Sequence, residues 1–266
     1  MIPIYERGDE HPAFDHAVSV AKTFKSRLLV VAVIRKRRFF QDPGGPPAMI
    51  VGIDEENFSK FRSALRETAD RLVTSARKQG LDAQTVVTSE YVPDAVIALT
   101  QQCDLVVESE MHRETFFGRL LDLKDIYTDS HCPIMIPKGE PSAMSRALLV
   151  YDRTKQANKA LRWLTLLAEN ARIRDLSILV ICRDDEERNR LPKGVSAFAK
   201  AHGVDVHVES VMGTDAFRRT IDVVRIQRMD IVAIATYTFR RPFRLGMLGI
   251  DMKALNDIGV SVLLFP

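Results

Sequence analysis

The chain has little cysteine and no pairing pattern for what it has. Cys103, Cys132 and Cys182 are the only three among 266 residues, and no C-x-x-C pair occurs. That spacing supports neither a disulfide framework nor a zinc knuckle, and it fits a reducing compartment. Long apolar runs are missing too. No stretch approaches the roughly 18 apolar residues that a membrane-spanning helix needs. The opening Met1-Ile-Pro-Ile-Tyr5 is cut off by Glu6 and Arg7, too soon for a signal peptide. A soluble, cytoplasmic protein with no membrane partner is the expectation. Charge of one sign is also lacking: 38 Lys and Arg against 35 Asp and Glu leave a formal +3, which gives no reason to expect nucleic acid as a partner. Neither a G-x-x-x-x-G-K-[ST] loop nor a G-x-G-x-x-G fingerprint is present, and Ser109 has no G-x-S-x-G elbow around it.

What is there is a regular alternation. Apolar, β-branched runs at Met1–Tyr5, Leu28–Ile34, Ala83–Thr88, Leu105–Glu108 and Ile134–Ile136 read as strands. Between them, Phe14, Ala17, Val18, Ala21 and Phe24 form one helical stripe. Phe58 to Ala76 forms a longer stripe that ends at Gly80, a natural C-cap. Pro93-Asp94 opens a third helix, and a fourth is expected over about 117–128. Parallel strands need crossovers, and crossovers bring helices, so the first half is α/β with a parallel sheet covered on both faces.

Around Lys138-Gly-Glu-Pro-Ser142 the periodicity stops, as in a linker. Then the order restarts. Strands are expected at Ala147–Tyr151, Leu176–Cys182, Val204–Glu209, Ile231–Ala235 and Val260–Phe265. Helices are expected through Ala157–Ala171, around Val195–His202 and through Phe217, Ile221 and Val224. The same unit occurs twice, giving two domains, 1–140 and 144–266.

Both repeats resemble the universal stress protein family, and together they resemble its tandem form. The second repeat carries Leu149-Val-Tyr-Asp152 and Ala160-Leu161, like the family's first strand ending in aspartate and its following Ala-Leu helix. The first carries Ile2-Pro-Ile-Tyr5 and Ala13-Phe14, with Tyr5 or Glu6 where the aspartate would stand. Cys132-Pro133-Ile-Met-Ile136 resembles the Cys-Pro before the family's last strand. The resemblance implies two tandem flavodoxin-like domains of the HUP, adenine nucleotide alpha hydrolase-like type. Each would be a five-stranded parallel sheet with helices on both faces. A ligand would sit at the carboxyl ends of the strands, where strand order reverses.

In nucleotide-binding members of the family, the aspartate contacts the adenosine, and a loop G-x-x-G-x(9)-G-[ST] after the fourth strand holds the phosphates. Glycine suits that loop because backbone N–H groups must converge on the anion with no Cβ in the way. In the first repeat, Glu108 and Met111 fall on the first two glycines and the later pair falls near Leu121-Asp122, so two carboxylates would repel a phosphate. In the second, Ala235 and Thr238 fall on the first two and Leu248-Gly249 on the last pair. Thr236, Thr238, Arg240 and Arg241, with Arg244, are nonetheless suited to charge-assisted bonds to an anion, and Gly246 and Gly249 keep some backbone freedom. Asp152 completes that candidate ligand set, with ATP, AMP or a small anion as its candidate ligand. Phe239, Pro242 and Phe243 would fill space that a nucleotide needs.

Other features have plainer readings. Arg35-Lys-Arg-Arg-Phe-Phe40 is the densest basic run, but it precedes a turn-rich loop and reads as a solvated or partner-facing surface. His11 and His16, five apart, do not share a helix face as a zincin pair does, so no metal is expected. Cys132 and Cys182 border strands and read as buried hydrophobes. The apolar strands Ile134–Ile136 and Val260–Phe265 lie at sheet edges that must be covered. The family resemblance implies that they join the two repeats as an internal pseudo-dimer, with a further homodimer of chains left open. The functional expectation is a stress-response or regulatory binding module that engages an unidentified protein partner, has no catalytic residues and needs no cofactor. The alternative is an adenine-nucleotide-binding protein with weak ATP hydrolysis in the second repeat.

Overall fold

A computed structural model describes residues 1–5, 13–33, 55–88, 92–108, 126–127, 129–142, 144–235 and 257–266. The fold is α/β, built from parallel strands and packed helices. In the first half the described elements run β1 (Ile2–Ile4), α1 (Phe14–Phe24), β2 (Leu28–Val33), α2 (Glu55–Lys78), β3 (Ala83–Thr88), α3 (Val92–Thr100), β4 (Val106–Val107) and β5 (Ile134–Ile136). In the second they run β6 (Arg146–Tyr151), α4 (Lys155–Glu169), β7 (Asp175–Cys182), α5 (Asp185–Ala201), β8 (Val206–Met212), α6 (Ala216–Ile226), β9 (Ile231–Ala235) and β10 (Ser261–Phe265).

Ladder hydrogen bonds define a three-stranded sheet, β1-β2-β3, and a seven-stranded one, β4-β5-β10-β9-β6-β7-β8. One bond, from the Val107 N–H to the Met1 carbonyl at 2.8 Å, bridges β4 and β1. Each half therefore runs third, second, first, fourth, fifth strand, and its order reverses between the first strand and the fourth. All the paired strands within a half are parallel, whereas β5 and β10 pair antiparallel, with Leu263 opposite Met135 at the centre. The expected apolar edges thus cover one another.

Burial explains the composition of the strands. β2, β6, β9 and β10 are covered on both faces and are almost wholly apolar. The outer strands β3 and β8 are only partly buried and carry Gln84, Thr85, His207 and Glu209. Apolar side chains on the two faces form two cores, one beneath α1, α2, α4 and α5, the other beneath α3 and α6.

One helix differs from its expectation. α5 begins at Asp185, ten residues before the apolar stripe at Val195, and runs through Pro192. Its start is fixed by a cap: Asp184 accepts from the Glu187 N–H at 2.8 Å, and Glu187 reaches back to the Arg183 N–H at 2.9 Å. Three acidic residues in the first turn, Asp185, Glu186 and Glu187, suit the positive end of the helix dipole. Of the helix expected over 117–128, only 126–127 are described, and both are helical.

Leu263 is fully buried in the β5–β10 pair. Leu263→Ala should lower unfolding stability by about 3 kcal/mol, in the range of core leucine truncations, as read by urea denaturation. A loss under about 1 kcal/mol would show that this pair does not carry the junction.

Candidate functional site

Strand-order reversals place one crevice in each half, at the carboxyl ends of β1 and β4 and of β6 and β9. The two are furnished differently.

In the first half, Tyr5 follows β1 and Glu108 follows β4. The Tyr5 hydroxyl donates to Glu108 Oε2 at 2.9 Å across the seam. Glu108 is 2% exposed, and its backbone N–H bonds the Met135 carbonyl at 2.9 Å, which anchors it to β5. Tyr127 is buried beside them. Its phenol is pushed well above the ordinary value by burial and then by the Glu108 charge. A buried carboxylate with a tyrosine hydroxyl on it occupies the point where strand order reverses. Met111, Leu121 and Asp122 lie outside the described residues.

In the second half, β6 ends at Tyr151, and Asp152 turns its carboxylate onto the start of α4. Asp152 Oδ1 accepts from the Thr154 N–H at 3.0 Å and from the Thr154 hydroxyl at 2.6 Å. Thr154 then caps α4 by accepting from the Ala157 N–H at 3.1 Å. Arg153, between them, has a φ of +68°, a left-handed conformation that costs a side-chain-bearing residue energy. That geometry points the Arg153 guanidinium at Glu187, with which Nη1 is paired. Arg183 joins the same carboxylate through Nε at 3.0 Å and Nη2 at 2.8 Å. Glu187 is therefore held by two arginines at the carboxyl ends of β6 and β7, and its carboxyl lies below the usual range, chiefly through the Arg183 hydrogen bonds. Arg153 Nε is buried with no hydrogen-bond partner among the described residues.

Of the sequence-derived site residues, Asp152 is thus placed at the crevice. Thr236, Thr238, Arg240, Arg241, Gly246 and Gly249 lie outside the described residues, as does Arg244, and so do the basic run at 35–40 and His11. His16 is buried, with Nε2 at 3.0 Å from the Gly139 carbonyl. Among the described residues no three His, Cys, Asp or Glu side chains gather as a metal site would require. Cys132 and Cys182 are buried, and burial raises both thiols, Cys132 to about 11. Among the described residues no helix is long and apolar enough to cross a membrane. Sequence reasoning missed the Arg153–Glu187–Arg183 cluster. Its signal was available in Asp184-x-x-Glu187, a capping box that places a carboxylate at the mouth of the crevice.

The fold is that of universal stress proteins. A universal stress protein from Archaeoglobus fulgidus superimposes with a TM-score of 0.69 at 14% identity, over 99% of this chain and 95% of that one. A protein assigned to the same group, from Pseudomonas aeruginosa UCBPP-PA14, gives 0.59 at 13% identity, over 99% and 92%. A Pseudomonas aeruginosa PAO1 protein of unknown function gives 0.56 at 13%, over 99% and 91%. No protein-family model matches the sequence, and no curated protein matches it.

Two measurements probe these crevices. The Glu187 carboxyl is depressed on folding, so the stability it contributes is present above pH 4.5 and is lost as pH falls through its lowered value. Melting temperature should therefore drop below pH 4.5 more steeply for the native protein than for Glu187→Gln; parallel curves would exclude a stabilising role. Tyr5→Phe removes a hydrogen bond to a buried carboxylate and should cost about 1–3 kcal/mol in urea unfolding.

Proposed function

We propose that the chain is a tandem universal stress protein, with units at 1–140 and 144–266, acting in the cytoplasm as a stress-response or regulatory binding module without catalytic turnover. The observation that carries this reading is the Tyr5–Glu108 pair. A phosphate needs backbone N–H groups and positive charge at the end of the fourth strand. Here that place holds a buried carboxylate, whose charge opposes an anion. Free thiols at Cys103, Cys132 and Cys182 fit a reducing compartment. The antiparallel β5–β10 pair supports an internal pseudo-dimer, since it satisfies both apolar edges within one chain.

The second crevice favours a second reading, adenine-nucleotide binding with weak ATP hydrolysis, because of Arg153. Its buried Nε, without a partner among the described residues, is a donor that a bound anion would satisfy. Asp152 stands beside it, and Thr236, Thr238, Arg240, Arg241, Gly246 and Gly249 would complete the cradle around ATP, AMP or a small anion.

Native mass spectrometry of the purified chain separates the two. The binding-module reading expects the bare mass and no ATP hydrolysis above a protein-free blank. A co-purifying adenine nucleotide, lost on Arg153→Ala together with Arg240→Ala and Arg241→Ala, would replace it with the second reading.

A further inference from the structure

Two of the three free thiols lie on neighbouring segments of the first half. Cys103 follows α3, which ends at Thr100, and Cys132 leads into β5. Two crossings join those segments. The Thr100 hydroxyl accepts from the His131 N–H at 3.0 Å, and the Val106 N–H donates to the Pro133 carbonyl at 3.0 Å. Cys103 and Cys132 sit between the crossings, one on each segment.

Register gives their spacing. β4 and β5 are parallel, with Val106 opposite Ile134 and Val107 opposite Met135. Carried back two residues, past the Val106–Pro133 bond, that register sets Cys132 opposite Asp104 and diagonal to Cys103. Paired segments lie about 4.8 Å apart and rise about 3.3 Å per residue, so the diagonal falls inside the roughly 4.4–6.8 Å between Cα atoms that a disulfide spans. Both side chains go to the same face: Cys132 is buried in the core beneath α3 and α6, and Cys103 packs against that core. They are close enough to act on one another, since charge on Cys103 raises the Cys132 thiol, and both act on the Met1 amino group. Cys182 belongs to the other core. Access is one-sided: Cys132 is 5% exposed, whereas Cys103 is half-buried and lines a cleft open to solvent.

We infer that Cys103 and Cys132 are a peroxide-responsive pair, in which Cys103 meets the oxidant and Cys132 resolves it into a disulfide. The Cys103 thiolate attacks one oxygen of hydrogen peroxide. The O–O bond breaks, hydroxide leaves and takes up a proton as water, and a sulfenic acid remains. Cys132 then gives up its proton, and its sulfur attacks that of Cys103. The S–S bond forms, the S–O bond breaks, and the departing hydroxide becomes a second water. In all, two thiols lose two electrons and one peroxide becomes two waters. Burial raises both thiols, Cys132 to about 11, so little thiolate is present at neutral pH and the reaction is slow, gaining speed as pH rises. The bridge would close the loop that carries Glu108 and Tyr127, fastening the segment behind the first crevice. A reducing compartment keeps such a bridge transient. The inference stands whether or not either crevice binds a nucleotide.

The test is a thiol map of the full chain. Reduced, desalted protein is treated with millimolar hydrogen peroxide, denatured in N-ethylmaleimide, digested with trypsin without reductant and analysed by mass spectrometry. Label is expected on Cys182 alone, with a cross-linked peptide pair joining Cys103 to Cys132 that dithiothreitol separates. The bridge should form about tenfold faster at pH 8 than at pH 7, and Cys182→Ala should leave its rate unchanged. Cys103→Ser, with an unchanged far-ultraviolet spectrum, should leave Cys132 fully labelled, because the resolving thiol is buried. Label on all three cysteines after peroxide overturns the inference. So does sulfinic acid on Cys103 with Cys132 still free, or a bridge that involves Cys182 or a second copy of the chain.

Discussion

A parallel α/β sheet buries its strands on both faces but leaves a row of unsatisfied backbone groups along each edge. In this chain the fifth strands of both halves are apolar but for Ser261, so neither could stand as an edge in water without exposing side chains and backbone together. Pairing β5 with β10 antiparallel removes both liabilities at once, and Leu263 against Met135 is its centre. The remaining edges, β3 and β8, are the strands that carry polar residues. The whole arrangement depends on this junction: it sets the two halves back to back, brings α1 near α4, and lets Arg172 donate to the Thr23 carbonyl at 2.7 Å across the divide.

From that junction the chain departs from equivalence in stages. The strands and their order are common to both halves, because they are fixed by burial, which tolerates any apolar residue of suitable size. The crevices are not. Where the first half sets Tyr5 against a buried Glu108, the second sets Asp152 against a helix cap and two arginines against Glu187. A crevice residue answers to the charge it faces, and here one end of the molecule presents a buried carboxylate while the other presents a guanidinium.

The sequence made the strands readable because parallel strands covered on both faces become unbroken apolar runs; Leu28–Val33 and Ile231–Ala235 could be little else. Helices with a narrow stripe were equally plain. α5 was not, because six of its first ten residues are charged and its start is marked by the Asp184 cap rather than by an apolar face; Pro192 inside them masked the pattern further. Asp152 could be found, since it ends a strand in a motif. The Arg153–Glu187–Arg183 cluster escaped because it joins the segment after β6 to the segment after β7, and Arg153 enters it from a left-handed backbone position. No periodicity encodes a single φ of that kind.

An open cleft of about 640 Å³ between α1 and α4 lies at the end of the strands opposite the crevices, and α4 connects the two. Its amino end carries the Asp152–Thr154 cap beside Arg153, and its second face, at Trp163 and Leu166, forms the cleft wall. Thr154 and Leu166 are separated by twelve residues of continuous helix, a span of about 18 Å at 1.5 Å per residue. A helix of that length transmits a shift at one end to the other as a rigid body when its core face is held, as Ala157, Ala160, Leu161 and Leu164 hold it here. An anion held by Arg153 would sit at one end of the helix whose other end walls the cleft. Coupling between the two ends would require α4 to have two resting positions. The Trp163 ring, lodged between Phe24 and Phe265, is where such a second position would meet its steric cost.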